Sequence, residues 1–284
     1  MYPSENPPKK LPLGLIKGLA LFLFIMTIYY GPQLINQPKK NFNQAAVYPN
    51  TIIVSAIPPT SNPSPTPMIF YPANTNGYAI SWPQCGSKYP EPPYDFGILG
   101  VTGGISFTHN KCLSSEFAWA QKAIYPPSFY INVDFPISIN QNLLRSFHCF
   151  TGDENCIAYQ YGFSLAKDAY EYAISQNAYS QVWWLDVQIM SRWSINKAVN
   201  AQVILGANSF FKSKNLTTGL STTPYQWNTI AGDLQTQLPN WIPGMLNKAS
   251  SIQYCQSGKG YSGGFVRQLA YISNGFEAVY ACGR

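Results

Sequence analysis

The sequence is short of charge. Only 11% of its 284 residues are Asp, Glu, Lys or Arg, against roughly 25% in an average soluble domain. A halophilic surface, a charge-rich disordered tail and a coiled coil are therefore excluded as descriptions of the whole chain. Histidine is nearly absent, with two residues, and no C-x-x-C occurs. Metal-site and Ser-His-Asp readings find little to build on, and no metal or cofactor is expected. There is no run of basic residues and no basic stripe interleaved with aromatics, so the footprint of a nucleic-acid partner is missing.

What is present is aromatic. Twenty Tyr, 16 Phe and seven Trp argue for a packed core and against wholesale disorder. The formal net charge of +6 is unevenly placed. Residues 1–44 hold Lys9, Lys10, Lys17, Lys39 and Lys40 against Glu5, and the remaining 240 residues are nearly neutral.

Leu19 to Tyr30 reads LALFLFIMTIYY, and extension back to Leu11 adds only Lys17. A bilayer is spanned by roughly 20 apolar residues, and a lysine near one end can snorkel. Basic residues precede the run, which predicts a cytoplasmic N-terminus and an exported remainder. A cleaved signal peptide is the rival reading. It would want small residues in an A-x-A-like pattern just past the run, which Ile28-Tyr29-Tyr30-Gly31-Pro32 does not contain; cleavage would make the protein secreted. Pro49 to Pro72 carries seven prolines in 24 residues, a composition of extended, solvated spacers. The expected organisation is a cytoplasmic 1–10, a membrane anchor region 11–35, a Pro-rich linker 36–73 and a folded domain 74–284.

All six cysteines (Cys85, Cys112, Cys149, Cys156, Cys255, Cys282) follow the apolar run. An even count in an exported domain favours disulfides. Six cysteines allow 15 pairings. The short loop between Cys149 and Cys156 favours that pair, and Cys85 with Cys112 and Cys255 with Cys282 then follow as chain neighbours.

Short apolar runs alternate with helical stretches. Tyr78–Trp82, Phe96–Val101, Phe129–Val133 and Val182–Val187 read as strands. Ser114–Ile124, Tyr161–Gln176 and Asn196–Lys212 read as helices, the last with Ile195, Val199, Val203, Gly206 and Phe210 on one face. A strand near Leu220, a helix over 225–230 and strands near Trp241 and Val266 complete the pattern. Alternation of this kind implies parallel strands with crossovers. The expected fold is α/β, a (β/α)8-like, TIM-type barrel; a doubly wound open sheet is the alternative, without a Gly-rich phosphate loop to support it.

The most informative segment is Trp183-Trp184-Leu185-Asp186-Val187-Gln188. Side chains two apart on a strand share a face, so Asp186 and Gln188 would meet at the C-terminal end of a barrel strand, where such barrels place their chemistry. An aspartate after a strand also commonly just caps a helix.

Its neighbours add weight. Gly77-Tyr78-Ala79-Ile80-Ser81-Trp82-Pro83-Gln84-Cys85 opens the domain. Phe96-Gly97-Ile98-Leu99-Gly100-Val101-Thr102-Gly103-Gly104 and Asn110-Lys111-Cys112-Leu113 follow. Later come Cys156-Ile157-Ala158-Tyr159-Gln160-Tyr161-Gly162, Ser221-Thr222-Thr223-Pro224-Tyr225-Gln226-Trp227 and Ser262-Gly263-Gly264-Phe265-Val266-Arg267-Gln268. In this order, over residues 76–282, the set resembles an exported, cysteine-containing branch of the lysozyme-like glycoside hydrolases of family 25.

The resemblance implies a barrel, the glycan of bacterial cell wall (peptidoglycan) as substrate class, and carboxylates at the barrel mouth. The family uses an Asp-x-Glu pair on the fourth strand, the Glu as proton donor, with further Asp residues from the first and last strands. Asp186 matches the family's Asp. Gln188 stands where the Glu belongs, and Ala79 where the first-strand Asp belongs. Glu277 sits where a last-strand Asp is expected. Ser191 replaces an Asn and Ser221 a Tyr. Glycosidic cleavage needs an acid for the leaving oxygen, and an amide has no proton to give near neutral pH.

The expected protein is therefore a membrane-tethered, extracytoplasmic, lysozyme-like pseudoenzyme that binds cell-wall glycan without cutting it. Trp82, Trp184 and Trp193 would offer stacking faces, and Asn132, Asp186, Gln188 and Gln268 polar contacts. Two alternatives remain. One is a working hydrolase in which Asp134 and Glu277 join Asp186 as displaced carboxylates, although Asp134 reads first as a solvated loop residue. The other is a module that recognises a protein or surface polymer.

Overall fold

The computed structural model describes residues 70–136, 138–258 and 260–283. The apolar run and most of the Pro-rich stretch lie outside the described residues, so the anchor expectation is not met by any structural observation. Among the described residues no helix is long and apolar enough to cross a membrane.

Eight strands close into one barrel in sequence order. They are β1 (Asn76–Ile80), β2 (Phe96–Gly100), β3 (Ser128–Val133), β4 (Val182–Val187), β5 (Thr217–Ser221), β6 (Asn240–Met245), β7 (Val266–Ser273) and β8 (Phe276–Ala281). Six helices accompany them: α1 (Leu113–Ala120), α2 (Gln141–Arg145), α3 (Glu154–Ser175), α4 (Lys197–Ser213), α5 (Pro224–Ala231) and α6 (Lys248–Ser257). Strands β2 and β5 are buried at every residue, as expected for strands covered on one side by helices and on the other by the barrel interior.

Two cores result. Between barrel and helices, Trp183 stacks on Phe211 at 4.7 Å and meets Phe129 edge-on at 5.1 Å. Inside the barrel, Phe96, Ile98, Trp184, Trp241 and Val279 pack together. Trp184 fits because Gly219 beside it has no side chain; a Cβ there would lie 2.3 Å from the indole. The floor is plugged by residues read from sequence as linker: Phe70 lies 6.0 Å from Trp184, and Tyr71 stacks on Phe96 at 3.7 Å. Packing that belongs to the barrel therefore reaches back at least to Phe70, before residue 74.

One strand runs against expectation. β1 to β7 are parallel neighbours, but β8 is antiparallel to both β7 and β1. The cause is local. Asn274 and Gly275 both take positive φ, 52° and 80°, which is the two-residue hairpin turn that Asn-Gly favours. The reversal starts β8 at the mouth, the end where the parallel strands finish.

Other boundaries shift for readable reasons. β1 stops at Ile80, and Trp82 belongs to a 3₁₀ turn with Pro83 inside it. α3 starts two turns before Tyr161, capped by the Asp153 side chain accepting from the Cys156 amide at 3.0 Å. Ile195 precedes the α4 cap Asn196 and is fully exposed, whereas Val199, Val203, Gly206 and Phe210 are buried. The disulfides join Cys85–Cys112, Cys149–Cys156 and Cys255–Cys282.

Behind β2 lies a buried carboxyl. Glu116 of α1 is fully enclosed; its Oε2 accepts from Asn110 Nδ2 at 2.7 Å, and its Oε1 has no partner among the described residues. Burial raises it from 4.5 to about 7, opposed by the Asn110 hydrogen bond. The unfolded chain gives up this proton first, so stability falls as pH rises from about 4.5 to about 7 and stays lower above that window. Glu116→Gln removes this loss. The variant is expected to gain up to about 3 kcal/mol at pH 8 and to match the wild type near pH 4. Thermal midpoints measured across that range test it; a variant less stable at pH 8 would contradict it.

Candidate functional site at the barrel mouth

Register builds the site. Asn132 of β3 is paired with Asp186 of β4, Asp186 with Ser221 of β5, and Ser221 with Trp241 of β6. On the opposite wall Ala79 is paired with Glu277. Parallel strands in register present paired residues at one level, so these side chains form one layer at the C-terminal ends of the strands.

Asp186 is the centre of the layer and 5% exposed. Asn132 Nδ2 donates to its Oδ2 at 2.8 Å. Gln188 Nε2 donates to both carboxyl oxygens, at 3.1 and 2.9 Å. Asn132 is itself fixed, its Oδ1 accepting from Thr102 Oγ1 at 2.7 Å. Burial raises Asp186 from 3.8 to about 7, and hydrogen bonds from Gln188, Ser221 and Asn132 oppose the rise.

Glu277 reaches the same place from the reversed strand. Burial first, and then the charge of Asp186, raise it from 4.5 to about 7. Both carboxyls line a mouth cavity of about 50 Å³, walled also by Tyr130, Gln188, Trp241 and Pro243. A second, larger hollow of about 250 Å³ lies between the loops after β1 and β2, lined by Trp82, Gly103, His109 and Lys111. It contains neither carboxyl.

The residues singled out from sequence divide accordingly. Asp186, Gln188, Glu277 and Asn132 come together at the mouth, and Ala79 sits beside Glu277. Asp134 does not join them, and it is not solvated. It is completely buried, held by Arg192 Nε at 2.9 Å and Nη2 at 2.5 Å, by the Tyr161 hydroxyl at 3.2 Å and by the Ser106 hydroxyl. Its partners use the carboxylate for structure. Trp184 is 0% exposed and Gln268 1%, so neither offers a contact surface; both are interior packing. Trp82 is half exposed beside the larger hollow. Trp193 is partly buried, and its indole donates to the Gln188 carbonyl at 2.8 Å, supporting the loop after β4.

Tyr130, Trp241 and Pro243 were missed as mouth residues. A period-two reading carries the signal: Tyr130 and Asn132 share a face of β3, and Trp241 and Pro243 share a face of β6. The Trp241 indole nitrogen is buried and has no hydrogen-bond partner among the described residues.

The arrangement has two carboxyls, Asp186 and Glu277, each raised to about 7 and so able to give up or take a proton near neutral pH, and two amides, Asn132 and Gln188, that donate to Asp186. It can bind hydroxyl- and amine-bearing ligands.

No family model and no curated protein sequence matches the chain. Solved structures similar to it include the modular autolysin LytC from Streptococcus pneumoniae, at 12% identity and a TM-score of 0.45, covering 72% of this chain and 46% of that one. The spore cortex lytic enzyme SleM from Clostridium perfringens is similar at 12% identity and a TM-score of 0.47, covering 75% and 69%. A family 25 glycosyl hydrolase from Bacillus anthracis is similar at 13% identity and a TM-score of 0.41, covering 75% and 90%. This chain thus spans less than half the length of the LytC chain.

Proposed function

We propose that the barrel binds bacterial cell-wall glycan at its mouth and does not cleave it, with the chain held at a membrane by the run from Leu11 to Tyr30. The substrate class comes from the ordered sequence motifs. The observation that carries the absence of cleavage is the Gln188 amide, which donates to both oxygens of Asp186. A hydrolase needs a titrating acid at that point, an acid contributing about 10²–10⁴-fold in rate.

A second reading has its own support. Glu277 is raised to about 7 and feels the charge of Asp186, which are the properties of a general acid beside a second carboxylate. In that reading the acid has moved from β4 to β8.

One assay separates the two. The full chain is recovered from the membrane fraction in detergent, and insoluble peptidoglycan is tested for pull-down and for release of reducing sugar. Pull-down without sugar release is the expected result for the wild type. Sugar release abolished by Glu277→Gln establishes the second reading instead. Absence of pull-down defeats both, and recovery of the chain only from the soluble fraction removes the tether.

A further inference from the structure

The larger hollow shares no lining residue with the mouth. Its volume of about 250 Å³ is walled by Trp82 and Cys85 from the loop after β1 and by Gly103, His109, Asn110 and Lys111 from the loop after β2. The mouth cavity of about 50 Å³ takes only a few water-sized groups. The hollow has room for a whole sugar ring.

Its walls are fixed before anything binds. The Cys85–Cys112 disulfide ties the first loop to the end of the second. The Gly103 amide donates to Thr108 Oγ1 at 3.0 Å, and Thr108 Oγ1 donates to the Ile105 carbonyl at 2.6 Å. Asn110 is fully buried, and its side-chain amide donates to the Gly100 carbonyl and to Glu116. His109 is held against α3, stacked on Tyr172 at 4.1 Å with Nε2 2.9 Å from Asp168. A preformed cavity of this kind pays little ordering entropy on binding.

Two lining groups are left over from this framework. Trp82 is 50% exposed. Its indole edge lies over Gly104, where a Cβ would come within 3.0 Å of Nε1, so the second loop makes room for the ring. Lys111 is exposed, and no Asp or Glu lines the hollow. The carboxylates of the surrounding elements are engaged elsewhere: Glu91 with Lys88, Asp95 with the Asn76 amide, Glu116 with Asn110 and Asp168 with His109.

Together the two groups select a ligand. An indole offers a flat apolar surface to the C–H face of a sugar ring, and an ammonium takes a carboxylate as a point charge. A neutral sugar leaves the ammonium unmatched, and a small anion leaves the indole uncovered. A sugar ring that carries its own carboxylate serves both.

We infer that the hollow between the loops after β1 and β2 binds a carboxylate-bearing sugar, its ring against Trp82 and its carboxylate at Lys111. This is a site separate from the mouth, and it does not depend on glycan binding there.

The test is protection of tryptophan emission from acrylamide quenching, measured on the full chain in non-ionic detergent. Trp82 is half exposed and five of the other six tryptophans are buried, so quenching reports chiefly on the hollow. A galacturonic acid trimer is titrated at pH 7 beside its methyl ester, which lacks the charge, and beside adenosine monophosphate. The acid trimer is expected to protect Trp82 and to bind about tenfold more tightly than the ester, the scale of one charge-assisted hydrogen bond. By calorimetry, Lys111→Gln should erase that preference, Trp82→Ala should weaken acid and ester alike, and Glu277→Gln should change neither. Failure of the acid trimer to bind, equal binding of the ester, or a preference that survives Lys111→Gln overturns the inference. Loss of binding in Glu277→Gln would place the ligand at the mouth and overturn it too. Tighter binding of the mononucleotide overturns the assignment to a sugar. Peptidoglycan pull-down tests the mouth and stands or falls apart from these results.

Discussion

Replacing Gly162 by valine is expected to lower the thermal midpoint by about 10 °C or more, and even alanine should lower it by several degrees. Helices α3 and α4 cross with their backbones in contact. A Cβ at Gly162 would lie 1.9 Å from the Val203 carbonyl oxygen, and one at Gly206 would lie 2.0 Å from that of Tyr159. Helix propensity argues the other way, since alanine is favoured over glycine by about 1 kcal/mol. The clash wins, because the obstructing atom is backbone and the helices must separate to admit the methyl group. Overpacking costs about 1–3 kcal/mol and occasionally more, a backbone obstruction on both helices belongs at the upper end, and each kcal/mol moves the midpoint of a domain this size by about 2–4 °C. Valine adds two further methyl groups to the same contact. Unfolding of the full-chain variants followed by near-ultraviolet circular dichroism gives the answer. A Gly162→Ala midpoint at or above that of the wild type would show that the helices can part at little cost.

Arg192→Met is expected to destabilise the domain more than Asp134→Asn does, although both break the same ion pair. The asymmetry follows from exposure. Asp134 is 0% exposed and the Arg192 side chain 47%. Loss of the guanidinium strands a buried carboxylate with only the Tyr161 and Ser106 hydroxyls for company. Breaking a fully buried pair costs about 3–5 kcal/mol; the half-exposed arginine places this case near about 3. In Asp134→Asn the arginine turns to water, and the amide oxygen still accepts from Tyr161, so about 1 kcal/mol is expected. Denaturant unfolding of both variants and the double variant tests this, the double variant costing less than the two single changes combined. Equal losses from the two single variants would contradict it.

Much of the fold was legible because its strands are short, apolar and punctuated. Val182–Val187 is bounded as read, and Phe96–Val101 and Phe129–Val133 are displaced by one residue at one end. Where reading and structure part, a local rule had been outweighed by a regional one. The β–α alternation suggested one more parallel strand, while Asn274-Gly275 encoded a hairpin. The tryptophan pair of β4 illustrates another limit. Period two separates Trp183 from Trp184 onto opposite faces, but it does not say that both faces are sealed. That depends on Gly219 across the sheet and on Phe70 beneath it. Asp134 is the sharpest case at the site. It shares a strand face with Tyr130 and Asn132 by extrapolation, but β3 ends at Val133, and its partner Arg192 lies 58 residues on. Glu277, by contrast, was placed near Asp186 by resemblance alone, and the register of the reversed strand supplies the physical reason.

That reversed strand also decides how the barrel can be presented. Because β8 runs down rather than up, the chain leaves by the floor, where it entered. The Asn74 amide donates to the Ala281 carbonyl at 3.1 Å, the Tyr280 hydroxyl to Asn74 Oδ1 at 2.5 Å, and Gly283 lies against Ala73. Phe70 and Gly283 thus emerge together at the closed pole. Among the described residues the rim is therefore built from the loops that follow the parallel strands and from the Asn274-Gly275 turn, while both ends of the barrel are tied at the opposite pole.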